Sequence, residues 1–85
     1  MDQIILIGKI NKITKYKNGN VLINIQRIIY PKWIKILCLK GASFPEGLKV
    51  GDSIKCEAFK NVYEECYLPS NGVLEITKEL SCLKD

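Results

Sequence analysis

Trp33 and Lys35 lie two residues apart in the run Trp33-Ile34-Lys35-Ile36-Leu37-Cys38-Leu39, whose alternation suits a β-strand. A flat ring and an ammonium group on one face of a strand have a definite chemistry. The ring offers a platform for a nucleobase and the cation offers a counter-charge for a phosphate. Lys35 also indicates sidedness, because a lysine between Trp33 and Leu37 is easiest to satisfy if that face meets solvent or phosphate. The competing reading makes Trp33 a plug at the end of a barrel core. Tyr16, Tyr30, Tyr63 and Tyr67 offer further rings, and Lys9, Lys15 and Lys17 further cations. The plain alternative for each tyrosine is a packing residue or loop anchor, and for each lysine a solvated charge.

The charge distribution supports the first reading. The net charge is only +4, but residues 1–40 carry Lys9, Lys12, Lys15, Lys17, Arg27, Lys32, Lys35 and Lys40 against Asp2 alone. The second half carries more acid than base. A one-sided basic half attracts polyanions without making the whole protein adhesive.

Other chemistries find little support. The chain has no histidine, the usual general base at neutral pH. The carboxylates form no obvious pair, and single glycines make no phosphate-cradling loop. Cys38, Cys56, Cys66 and Cys82 show no two-residue spacing of a zinc or redox motif. Cys38, Cys56 and Cys82 fall in apolar strand patterns and read as buried thiols, whereas Cys66 reads as a loop residue open to oxidation. No enzyme activity, metal or cofactor is therefore expected. No apolar run reaches the length of a membrane span, and Met1-Asp2-Gln3 lacks the basic start of a signal peptide, so a cytoplasmic protein is expected.

Eighty-five residues, 47% of them hydrophobic, suffice for one domain spanning 1–85. Five strands are expected. The first runs from about Ile4 to Thr14, with Ile4, Leu6, Gly8 and Ile10 on one face and a bend or bulge at Gly8. Asn18-Gly19 signals a hairpin turn. The second strand runs from Val21 to about Ile29, with Val21, Ile23 and Ile25 inward, and ends in a tight Tyr30-Pro31-Lys32 break. The third opens on Trp33. After Gly41 to Glu46, where at most a single helical turn from Pro45 is expected, Gly51-Asp52 leads into a fourth strand reaching Tyr63. Glu64 to Gly72 reads as a loop, and the last strand runs from Val73 to about Leu83 with Leu74, Ile76, Leu80 and Cys82 on one face. The pattern matches an all-β, five-stranded Greek-key barrel of the OB-fold.

Four runs appear in order: Ile4-Ile5-Leu6-Ile7-Gly8-Lys9, Lys15-Tyr16-Lys17-Asn18-Gly19-Asn20-Val21, Trp33-Ile34-Lys35-Ile36-Leu37 and Leu48-Lys49-Val50-Gly51-Asp52. To about Glu57, the chain resembles a shortened bacterial or phage single-stranded DNA-binding protein. The resemblance implies that Trp33 stacks on a base, that Lys35 contacts the backbone, and that Tyr16 matches a tyrosine before the first hairpin turn. Leu39 stands where the family often has a second stacking aromatic. The family's long loop between strands two and three is reduced to Tyr30-Pro31-Lys32, its helix after strand three has nearly vanished, and its acidic partner-recruiting tail is not matched by Leu83-Lys84-Asp85. These departures suggest a phage, plasmid or mobile-element protein, with the primosomal OB-fold proteins as close neighbours.

Ile5 and Ile7 face away from Ile4 and Leu6, and a small barrel has no evident cover for both sets. Pairing of first strands between two copies would bury them, giving a homodimer or larger homo-oligomer. The resemblance implies the same interface, and the alternative places Ile5 and Ile7 under the loop around Phe44. The function expected is sequence-tolerant binding of single-stranded DNA in replication, recombination or repair. RNA is left open because stacking does not read the sugar. The alternative is a protein-interaction OB module of a replication or mobile-element complex, which Leu39 and the acidic second half favour.

Overall fold

The structure is a computed structural model and describes residues 2–78. Alternating apolar residues put one face of each strand into a common core, and the described residues form strands and turns with no helix. The strands are β1 (Asp2–Lys15), β2 (Val21–Gln26), β3 (Trp33–Cys38), β4 (Ser53–Lys60), β5 (Cys66–Leu68) and β6 (Leu74–Ile76).

β1 closes the barrel because it is long enough to pair twice. Its first half lies antiparallel to β4, from Asp2 opposite Lys60 to Lys9 opposite Ser53. Its second half lies antiparallel to β2, from Lys9 opposite Gln26 to Lys15 opposite Val21. β2 pairs with β3, β3 runs parallel to β5, and β5 returns antiparallel to β4. The closed order β1-β2-β3-β5-β4-β1 is the Greek-key connectivity of an OB-type barrel. β6 adds an extra strand on the β5 side of β4, with Leu74 opposite Cys56.

Leu6, Ile10, Ile23, Ile25, Ile36, Ile54, Leu68 and Leu74 are buried to 2% exposure or less, and Cys38, Cys56, Ala58 and Cys66 complete the core. Burying each Leu or Ile side chain stabilises the fold by about 1.5–3 kcal/mol. No polar or charged residue is buried among the described residues.

Several boundaries differ from the sequence expectation. β2 ends at Gln26 rather than Ile29, because Arg27 N–H donates to the Lys32 carbonyl at 2.6 Å and its Nε donates to the Pro31 carbonyl at 3.0 Å. The connection is therefore the six-residue loop 27–32, with a cis Tyr30–Pro31 peptide, and not a three-residue break. β4 ends at Lys60 rather than Tyr63, since the Asn61 side-chain oxygen accepts the N–H groups of Tyr63 and Glu65 and turns the chain.

The fifth barrel strand is Cys66–Leu68, a segment expected as loop. Its short alternation is masked by the glutamates before it and Pro69 after it, and pairing with both β3 and β4 fixes it. Cys66 is consequently a buried core thiol and not an open loop cysteine. The expected last strand is reduced to β6, where Ile76 is half-exposed, and its continuation through Leu80 and Cys82 lies outside the described residues. The bulge in β1 falls between Ile10 and Lys12 rather than at Gly8. Around Pro45 the chain makes turns, with Ser43 bridging to Val73.

Candidate nucleic-acid interface

The outer face of β1, β2 and β3 follows from the pleat. With Ile23, Ile25, Ile36 and Cys38 inward, their neighbours Leu22, Asn24, Gln26, Trp33, Lys35 and Leu37 point outward. Strand register then places them in rows. Lys9 stands opposite Gln26, which stands opposite Trp33. In the next row Lys12 stands opposite Asn24, and Asn24 opposite Lys35. In the third, Thr14 faces Leu22, Leu22 faces Leu37, and Leu37 faces Tyr67 on β5. One surface therefore carries an aromatic ring at one end, lysines beside it, and an apolar belt beyond.

Trp33 is 56% exposed, which places it on the surface and removes the core-plug alternative. Lys9 and Lys35 are exposed on the same face, as their sequence positions lead one to expect. An open groove of about 1120 Å³ runs along this face, lined by Tyr16, Leu22, Tyr30, Trp33, Lys35, Leu37, Leu39 and Tyr67 among others. Tyr16 sits at the β1–β2 turn, where its N–H donates to the Asn20 carbonyl at 2.9 Å. Gly19 has φ 96° there, a conformation that glycine adopts without steric cost. That turn is anchored to the start of the β3–β4 connection by Lys40 N–H donating to Asn20 Oδ1 at 2.9 Å.

The remaining expected residues scatter. Lys15 and Lys17 are exposed at the β1–β2 turn, at the opposite end of the face from Trp33, and do not line the groove. Tyr30 lines it from the tip of the loop 27–32 and is 93% exposed. Tyr63, 80% exposed on the β4–β5 turn, does not line it.

Sequence reasoning missed Arg27 and Lys60 as groove residues and placed Tyr67 in a loop. The alternation Cys66-Tyr67-Leu68 was the available signal for Tyr67. Nothing local marked the two cations, because closure of the loop 27–32 brings Arg27 to the groove and the pairing of β4 with β5 brings Lys60. The β4–β5 side is electrostatically mixed. Lys60 Nζ lies 3.4 Å from Glu64 Oε1, and Asn61 donates to Glu65 Oε1 at 3.0 Å. The cations that line the groove are Lys35 on β3, Arg27 in the loop 27–32 and Lys60 at the end of β4.

Cys38 and Cys56 do not line the groove, and Cys66, which does, is buried at its floor. Burial pushes Cys38 up to about 12 and Cys56 up to about 11, with the neighbouring thiol adding to each, and burial also raises Cys66. All three stay protonated at neutral pH. No group of side chains suited to a metal ion occurs among the described residues. No described helix is long and apolar enough to cross a membrane.

In the half of β1 that pairs with β4, Ile5 is 59% exposed and Ile7 half-buried. Ile5 is therefore not covered by the loop around Phe44. Residues 2–8 pair with β4 along one edge, and no described strand pairs with the other.

The connectivity defines the class as an OB-type barrel, with an open groove across the outer face of its strands. No protein-family model matches the sequence, and no curated protein matches it.

Proposed function

We propose that this barrel binds single-stranded DNA with little sequence preference and serves DNA replication, recombination or repair in the cytoplasm. The observation that carries the reading is the register of the outer face. It sets the exposed Trp33 beside Lys35 on an open groove, and puts Lys9 and Lys12, which do not line the groove, in the same two rows of the outer face. A ring stacks on any base, and each stacked base is worth about 1–3 kcal/mol. Lysines on phosphates release counterions, so affinity falls as salt rises. RNA would use the same contacts, and comparison of oligo-dT with oligo-U measures the preference.

The unpaired edge of β1 supports self-association as part of this function. An exposed strand edge flanked by Ile5 invites the same edge of a second copy, and a two-fold pair would extend the sheet.

Mobility shift of labelled oligo-dT over a salt series tests the proposal. Lys35→Ala should weaken binding and reduce the slope of log affinity against log salt by about 0.7. If the wild-type protein shifts no single strand at low salt, the nucleic-acid reading fails. The apolar belt of Leu22, Leu37 and Leu39 then becomes the surface of a protein-interaction module.

A further inference from the structure

Tyr67 and Phe59 are direct cross-strand partners on β5 and β4, and their rings stack with centroids 5.7 Å apart and planes 30° from parallel. Tyr67 also lies in register with Leu37 of β3 and lines the groove, whereas Phe59 lines the depression on the β1–β4 side. The pair therefore stands between the two. Tyr67 is half-buried, so its ring is held by its surroundings and loses little freedom when a ligand packs on it.

Resting on the reading of the groove as a single-strand site, we infer that Tyr67, braced by Phe59, is a second base platform. It supplies on β5 the ring that Leu39 does not supply at the end of β3. The spacing of the two platforms then follows from strand geometry. Leu37 is four residues on from Trp33, about 13 Å along β3, and Tyr67 is one strand over, about 4.8 Å. Stacked neighbours rise about 3.4 Å per nucleotide. The two rings therefore take bases that are not adjacent, and a short oligonucleotide occupies only one of them. Phe59 acts as a positioning residue, because it touches Tyr67 and not the ligand.

Between the platforms lies the row of Asn24 and Lys35, and beside Tyr67 the row of Leu22 opposite Leu37. Lys35 meets the phosphates of the intervening nucleotides, and the leucines give their bases apolar contact without reading their edges. The strand should end at the aromatic pair, because beyond it the β1–β4 side presents Glu57 and Glu75 beside Lys55.

Quenching of Trp33, the only tryptophan, by dT2, dT4 and dT8 tests this. Wild-type affinity should rise with length once both platforms are spanned. Tyr67→Leu should bind dT8 about tenfold more weakly and dT2 unchanged, while Tyr67→Phe keeps wild-type affinity for both. Phe59→Leu should lose part of the dT8 affinity, about threefold, with dT2 again unchanged. Because dT2 reports an intact Trp33 site, this length split separates a lost platform from general unfolding. Equal binding of dT8 by the wild type and Tyr67→Leu overturns the second platform and leaves the single-strand reading intact. Absence of quenching in the wild type at every length overturns both.

Discussion

Gly8 of β1 lies so close to β2 that a Cβ placed on it would stand 2.8 Å from Ile25 Cδ1 and 2.9 Å from the Gln26 carbonyl oxygen. At this point β1 leaves its β4 partner and takes up β2, since the next residue, Lys9, pairs with both. The glycine lets the two strands close the barrel. The isoleucine tip can rotate away from an added methyl, but the carbonyl cannot without moving β2.

Gly8→Ala should therefore destabilise the fold by about 1–3 kcal/mol, the usual cost of overpacking, despite alanine's lower backbone entropy cost. Urea unfolding measures it as a lower midpoint. An unchanged or higher midpoint would show that β1 and β2 separate easily at this crossing.

Much of this architecture is legible in the sequence, and the exceptions have physical causes. Ile23, Ile25, Ile36 and Cys38 announce inward faces by strict alternation, and the outward position of Trp33 follows from Lys35 beside it. Asn18-Gly19 announces its turn. Where local pattern and tertiary pairing disagree, the expectation fails. Ile28 and Ile29 continue a β-rich run, yet they lie in the loop 27–32, which the contacts of Arg27 with Lys32 and Pro31 close. Cys66–Leu68 is too short to signal a strand alone, and it exists because β3 and β4 both pair with it. The groove was half legible. Its strand residues Trp33 and Lys35 follow from period two, whereas Arg27 arrives through closure of the loop 27–32 and Lys60 through the pairing of β4 with β5.

The buried thiols give a pH dependence. Cys38 and Cys56 rise from 9.0 to about 12 and about 11 chiefly through burial, so folding favours their protonated forms. The unfolded chain loses these protons first as pH rises. Their contribution to stability is complete below 9.0 and is lost as pH climbs through about 11 and 12. Thermal melts from pH 8 upward should show falling stability. The double variant Cys38→Ala, Cys56→Ala should be less stable at neutral pH but lose less on going alkaline. An equal alkaline slope in both proteins would show that the thiols are not the source.

Ile5 provides the test of self-association. It stands opposite Glu57 on β4, so a lysine at that position faces a carboxylate and should be accommodated within the barrel. Sedimentation of the wild-type protein should show a dimer or larger species, and Ile5→Lys should shift it to the monomer with a similar melting temperature. A monomeric wild type at high concentration would contradict pairing through β1.

The most direct test of the central claim is a titration of Trp33 fluorescence with oligo-dT at low and at high salt. Stacking on a ring that is 56% exposed predicts strong quenching, and lysine contacts predict that its midpoint moves to higher DNA concentration as salt rises. No quenching at low salt, together with no band shift on the same oligonucleotide, would contradict the account.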